Sequence, residues 1–224
     1  MRRLVAFLTA IFASCGLAIP AAPGDLAAAP GASTSMQVLD SLAVKGRAPK
    51  TGYSRKEFPH WNDDVNVEFG HNGCDTRNDI LKRDLSDTTL KQGTHDCVVL
   101  TGLLRDPYTA REINFVRGDG TSADVQIDHV VALSNAWQTG AQQLTSEERQ
   151  VFANDPLNLL AVAGPANKQK SDGDAATWLP ANKEFRCEYA ARQVAVKAKY
   201  RLWVTPPEKA ALHRILAECP SKPS

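Results

Sequence analysis

The chain carries almost no net charge, no closely spaced cysteine pair and no apolar run of membrane-spanning length, and each absence removes a class of function. Its formal charge is +1 over 224 residues, and setting aside Arg2, Arg3 and Asp25 with the leader described below leaves it close to neutral. That argues against a polybasic tail binding polyanions indiscriminately. No cysteine pair has the C-x-x-C spacing of a structural zinc site. The apolar run Leu4 to Leu17 falls short of the roughly 20 residues of a spanning helix, so no transmembrane segment is expected. No internal repeat is visible.

With 43% hydrophobic and 23% charged residues, the chain is long enough for one well-buried core and short for two. Arg2-Arg3, the apolar run and the small residues after it have the order of a secretory signal peptide, expected over residues 1–29. Residues 30–52, rich in Ala, Pro, Gly and Ser, read as a flexible lead-in. One folded domain is expected over 53–224. Localisation is therefore extracellular, with one alternative: Phe12-Ala13-Ser14-Cys15 resembles a lipoprotein box with Phe where Leu is usual, which would anchor the protein through Cys15.

Export places the remaining cysteines, Cys74, Cys97, Cys187 and Cys219, in an oxidising compartment, and their even number fits two disulfides. Three pairings are open. Clustering along the chain favours Cys74 with Cys97 and Cys187 with Cys219, each closing a loop worth about 3 kcal/mol in the chain-entropy picture.

Local signals sketch an α+β fold in which helices outnumber strands. Asp75 is a good N-cap for a short helix to about Leu85. Val98 to Leu103 and Ile113 to Val116 are β-rich runs joined by the turn Asp106-Pro107-Tyr108-Thr109, a plausible hairpin. Ala123 to Ile127 is a further strand. Thr145-Ser146-Glu147-Glu148 is a capping box, Leu157 to Val162 is short and apolar, and Ala166 onward reads as helical. Pro180 to Val204 has helical spacing, and Thr205-Pro206-Pro207-Glu208 opens a last helix to about Ala217.

Between Pro165 and Cys219 there are ten Lys or Arg against six Asp or Glu, and Arg192, Lys197, Lys199 and Arg201 fall in a stretch without an acid. Two readings stand side by side: a local basic face, or solvated positions on an amphipathic helix.

Val125-Gln126-Ile127-Asp128-His129-Val130-Val131-Ala132-Leu133 is strand-like, yet an ionisable pair interrupts it. Asn158 follows in NDPLNLLAV and Asn167 in NKQKSD. This order and spacing resemble the HNH endonucleases of the His-Me finger class, in particular the branch shared by secreted bacterial proteins and the C-terminal domain of GmrSD-type restriction endonucleases. CDTRNDIL, the DPYT turn and the cysteine-bounded final helices extend the resemblance over most of the chain from Tyr53 to Cys219.

The resemblance implies a ββα-metal core with additional helices, and a hydrolase cleaving phosphodiester bonds of DNA, with RNA as an alternative. In that class a neutral His129 is the general base and Asn158 orients it. Asp128 and Asn167 hold one divalent metal, Mg²⁺ first and Mn²⁺ second. Asn167 stands where a histidine is usual, which weakens the metal site and leaves room for Asp172 or Asp174. Arg77, Lys168 and Lys170 are candidate phosphate contacts, although exposed lysines are more often solvated and Arg77 could pair with a local acid.

His60, His71, His95 and His213 have no such company and read as structural or surface residues, and Trp61, Trp137, Trp178 and Trp203 read as core. Near-neutral charge and the absence of a base-reading module imply low sequence specificity. A monomer with no stable protein partner is expected. The rival from another class is an inactive, disulfide-stapled binding protein at the cell surface.

Overall fold

Helix α1 (Ala32–Ser41) occupies the segment where a flexible lead-in was expected. The computed structural model describes residues 31–220, so the expected leader and the Cys15 box lie outside the described residues. Folded structure begins upstream of Tyr53 because single residues anchor a bland stretch. Leu39 is fully buried against Ala190, Val194 and Leu212. Val44 bridges to Val204, and Arg47 forms a 2.8 Å ion pair with buried Asp174.

Helix α2 (Thr76–Asp84) starts as expected, with the Asp75 side chain accepting from the Asn78 N–H. It runs directly into β1 (Leu85–Leu90), which joins β2 (Val99–Arg105) and β3 (Glu112–Val116) in an antiparallel sheet of order β1-β2-β3. The β2–β3 hairpin matches the pattern of the sequence; β1 does not show there, because Leu85-Ser86-Asp87-Thr88-Thr89-Leu90 has irregular alternation and its pairing contains register shifts.

Strand β4 (Val125–His129) does not join that sheet. It pairs antiparallel with β5 (Leu159–Ala163), with His129 opposite Leu159 and Val125 opposite Ala163. Between them lie α3 (Leu133–Gln138) and α4 (Ser146–Asn154), the latter opened by the Thr145/Glu148 capping box. All five residues of β5 are buried, which explains why its sequence is continuously apolar instead of alternating.

Helix α5 (Gly164–Lys170) follows β5 without a loop, with Pro165 in its first turn. Gly164 is required there, since a Cβ would lie 2.1 Å from the Ala123 carbonyl oxygen. Helices α6 (Arg186–Lys199) and α7 (Pro206–Ala217) complete the chain, α7 with its expected capping box. No helix among the described residues is long and apolar enough to cross a membrane.

Both disulfides form as the clustering favoured: Cys74–Cys97 ties the entry of α2 to that of β2, and Cys187–Cys219 ties the start of α6 to the end of α7. The basic stretch on and just after α6 divides: Lys199 and Arg201 are solvent-exposed, as the solvated reading has it, and the other two answer to neither reading. Arg192 and Lys197 are almost wholly buried. Arg192 pairs with Glu188 and donates to the Leu157 carbonyl; Lys197 pairs with buried Glu208 at 2.8 Å. Lys199 pairs with Asp155 and Arg201 with Glu148. Most of the missing acids come from elsewhere in the chain, so their absence along α6 says little about local charge.

Candidate active site

The end of β4 separates its two ionisable residues by strand alternation. Asp128 is 5% exposed. Its carboxylate accepts from the Tyr108 hydroxyl at 2.5 Å and from the Lys170 ammonium at 3.0 Å. Tyr108 is delivered by the DPYT turn, which Asp106 ties together by accepting from the Thr109 N–H and hydroxyl and from the Ala163 N–H. Burial pushes the Asp128 carboxyl up from its ordinary value, while Lys170 and Tyr108 oppose the rise by favouring the carboxylate.

His129 faces the other way. Its Nε2 lies 2.9 Å from the Ala153 carbonyl oxygen. A carbonyl can only accept, so that nitrogen carries the hydrogen and Nδ1 keeps its lone pair. Nδ1 has no hydrogen-bond partner among the described residues. Burial lowers the imidazole pKa to about 3, so the ring is neutral in ordinary solution. Trp61 stacks on it with ring centres 5.8 Å apart, and His60 meets it edge-on at 6.1 Å. His60 and Trp61 therefore belong to the surroundings of His129, which spacing alone did not suggest.

Asn158 is fully buried and touches the loop after His129, not the ring. Its Oδ1 accepts from the Val131 N–H at 2.9 Å and its backbone oxygen from the Val130 N–H at 2.8 Å. The sequence reading has it bridging the loop and helping to orient His129, and its hydrogen bonds reach the backbone just after the imidazole, at Val130 and Val131. Asn167, on α5, donates to Gln126 Oε1 at 3.0 Å.

Asp128, His129 and Asn167 all line one cavity of about 340 Å³. Asp172 lies on its wall, held by the Ser134 hydroxyl at 3.0 Å, whereas Asp174 pairs with Arg47 and does not line it. Lys50, Tyr53 and Arg55 also line it. These three lie in or at the edge of the stretch read as lead-in, where composition concealed them.

Two candidate phosphate contacts are corrected. Lys170 is 2% exposed and spent on Asp128 and the His129 carbonyl, so it supports the site from within. Arg77 reaches the Ser122 and Val125 carbonyls at the far end of β4 and does not line the cavity. Lys168 is exposed on α5, also off the cavity wall.

No group of three or more His, Cys, Asp or Glu able to hold a metal occurs among the described residues, so there is no closed cage of the structural zinc type. What lines the cavity instead is the carboxylates of Asp128 and Asp172, the latter held by Ser134 and Lys50, and the amide of Asn167. Tyr108 and Lys170 occupy two of the roughly four acceptor sites of the Asp128 carboxylate, leaving others free. A sparse, oxygen-only donor set fits a hard cation that keeps much of its water, as Mg²⁺ does.

The sequence model of the C-terminal domain of GmrSD restriction endonucleases matches residues 75–215. A protein of Arthroderma benhamiae (strain ATCC MYA-4681 / CBS 112371) bearing the description "Uncharacterized secreted protein" is 37% identical over 215 residues, covering 95% of this chain and 98% of that relative. No solved structure matches the chain at a significant level. From the extent of the first match, this chain belongs to the family of GmrSD restriction endonuclease C-terminal domains.

Proposed function

We propose that the protein is an exported, metal-dependent endonuclease of the HNH, His-Me finger type, hydrolysing phosphodiester bonds of DNA, with RNA as the alternative substrate, and with low sequence specificity. The observation that carries this reading is His129: a neutral imidazole, its tautomer set by the Ala153 carbonyl, on the wall of a cavity shared with Asp128 and Asn167. The succession β4, β5, α5, which sets Asp128 and His129 on a strand and Asn167 on the following helix, supports the ββα assignment.

His129 Nδ1 accepts a proton from water as the water oxygen attacks phosphorus. The bond from phosphorus to the 3′ oxygen breaks and that oxygen takes a proton from solvent, leaving a 5′-phosphate and a 3′-hydroxyl. A ring held neutral by burial is a weak base by itself; the positive charge it gains is balanced by the substrate phosphate. Asp128 and Asn167 would hold a divalent cation, Mg²⁺ or Mn²⁺, which supplies neutralisation of the charge growing on the phosphoryl and leaving oxygens. Lys170 and Tyr108 favour the ionised form of Asp128 against its burial and aim its carboxylate. The enzyme acts as a monomer, and outside the cell, the latter in keeping with the secreted relative.

One observation favours a second reading, an inactive binding protein: the Asp128 charge is already matched by Lys170. Plasmid nicking by the oxidised protein in Mg²⁺ or Mn²⁺ separates the two. Cleavage abolished by EDTA and lowered at least 100-fold in His129→Ala is expected of the nuclease. A folded protein that cuts neither duplex, single-stranded DNA nor RNA leaves the second reading standing.

A further inference from the structure

Residues 43–58 lie ahead of the stretch that matches the family, yet they form one wall of the cavity. This strap is fastened along its length. The Lys45 N–H donates to the Val204 carbonyl, the Ala48 N–H to Gln138 and the Trp203 indole to Gly46. Near its end a short 3₁₀ turn, Arg55–Glu57, is capped by Ser54 accepting from the Lys56 N–H. Tyr53 and Phe58 flank that turn, and both pack on Trp137 with ring centres 6.2 Å away. The backbone of Arg55 is therefore held between two aromatic anchors.

The Arg55 side chain is exposed and lines the cavity. The other cations at this site have partners: Lys170 has Asp128, and Lys50 has Asp172 at 3.4 Å. Arg55 forms no ion pair or side-chain hydrogen bond among the described residues. Its charge is felt at Asp128, His129 and His60. A free guanidinium on a surface is unremarkable; one whose backbone is held by its neighbours at the wall of a cavity shared with a base and a carboxylate is placed to meet an anion. The Lys50–Asp172 pair is about half exposed on both sides, so releasing Lys50 to a second phosphate costs little.

We propose that Arg55, with Lys50 beside it, grips the phosphate oxygens of a nucleic-acid substrate above His129, making the strap a substrate-binding element outside the family core. The proposal rests on reading the cavity as a phosphodiester-hydrolysing site.

The test is cleavage of a labelled oligonucleotide in Mg²⁺ by the full protein, with kcat/KM measured across a salt series. For Arg55→Gln, kcat/KM is expected to fall roughly tenfold, with a shallower dependence of its logarithm on log salt by about 0.7–0.9, the loss of one phosphate contact. Arg55→Lys recovers the slope, because it keeps the charge. Lys56→Gln removes the same charge one residue along, exposed and off the cavity wall, and stays within twofold of wild type. An Arg55→Gln enzyme with unchanged slope, or an equal loss in Lys56→Gln, overturns the proposal while leaving the nuclease intact. A wild-type protein that cleaves nothing overturns both readings.

Discussion

Lys170 on α5 places its ammonium 3.0 Å from the Asp128 carboxylate and 2.8 Å from the His129 carbonyl oxygen, with none of its side chain exposed. The helix that carries Asn167 is thereby clamped to the strand that carries the candidate base. A buried ion pair of this kind adds little to stability compared with an apolar pair, but losing one partner leaves the other charged and dry. Lys170→Met is accordingly expected to destabilise the fold by about 3–5 kcal/mol, and Lys170→Met with Asp128→Asn to recover a large part of it. Urea unfolding of the disulfide-intact variants decides the matter; a single variant within 1 kcal/mol of wild type would show the pair to be dispensable.

Asn158 acts on the site through the loop it holds. Asn158→Ala removes the acceptor of the Val131 N–H and leaves that buried donor unmet, at a cost of about 1–3 kcal/mol. Nicking should fall while the metal concentration for half-maximal rate stays unchanged, because Asn158 touches neither Asp128 nor Asn167. A shifted metal requirement would place it in the metal site instead.

The buried imidazole predicts an acid limb in stability. The folded pKa of His129, about 3, lies below the ordinary 6.5, so the unfolded chain takes up the proton first. The stability tied to this neutral ring is complete above about pH 6.5 and is lost as pH falls toward about 3. Denaturant midpoints followed from pH 7 to 4 should decline less steeply in His129→Ala than in wild type. Parallel slopes would mean that the ring is accessible enough to titrate freely.

The two disulfides close loops of 23 and 32 residues by sequence separation. Replacing Cys187 and Cys219 together by Ala should lower stability by about 3–4 kcal/mol in the chain-entropy picture, loosening the packing of α1 against α6 and α7 first. Hydrogen exchange would show that order, with amides of α1 losing protection before those of β4 and β5.

Much of this molecule was legible in the chain because the signals were local. The side chains of Asp75, Thr145 and Thr205 accept from N–H groups three residues on, a reach that a sequence displays openly. The interrupted strand at Asp128-His129 was equally plain, while clustering favoured the pairing of nearby cysteines among three that were open. The lead-in was misread because its anchors are far apart: Arg47 meets Asp174 across 127 positions. The same holds for Lys170, which finds Asp128 42 residues away and so reads as an exposed helix lysine.

By itself the sequence determined the capped helices and the residues around which a hydrolytic site could form, since each depends on neighbours within a few positions or on side-chain chemistry, and it favoured the disulfide partners without fixing them. Tertiary structure decided which charges are spent and which are free. Lys170, Arg192 and Lys197 are buried against acids or carbonyls, while Arg55, at the cavity wall, has no ion-pair partner among the described residues, and the low interior dielectric makes the buried pairings costly to alter.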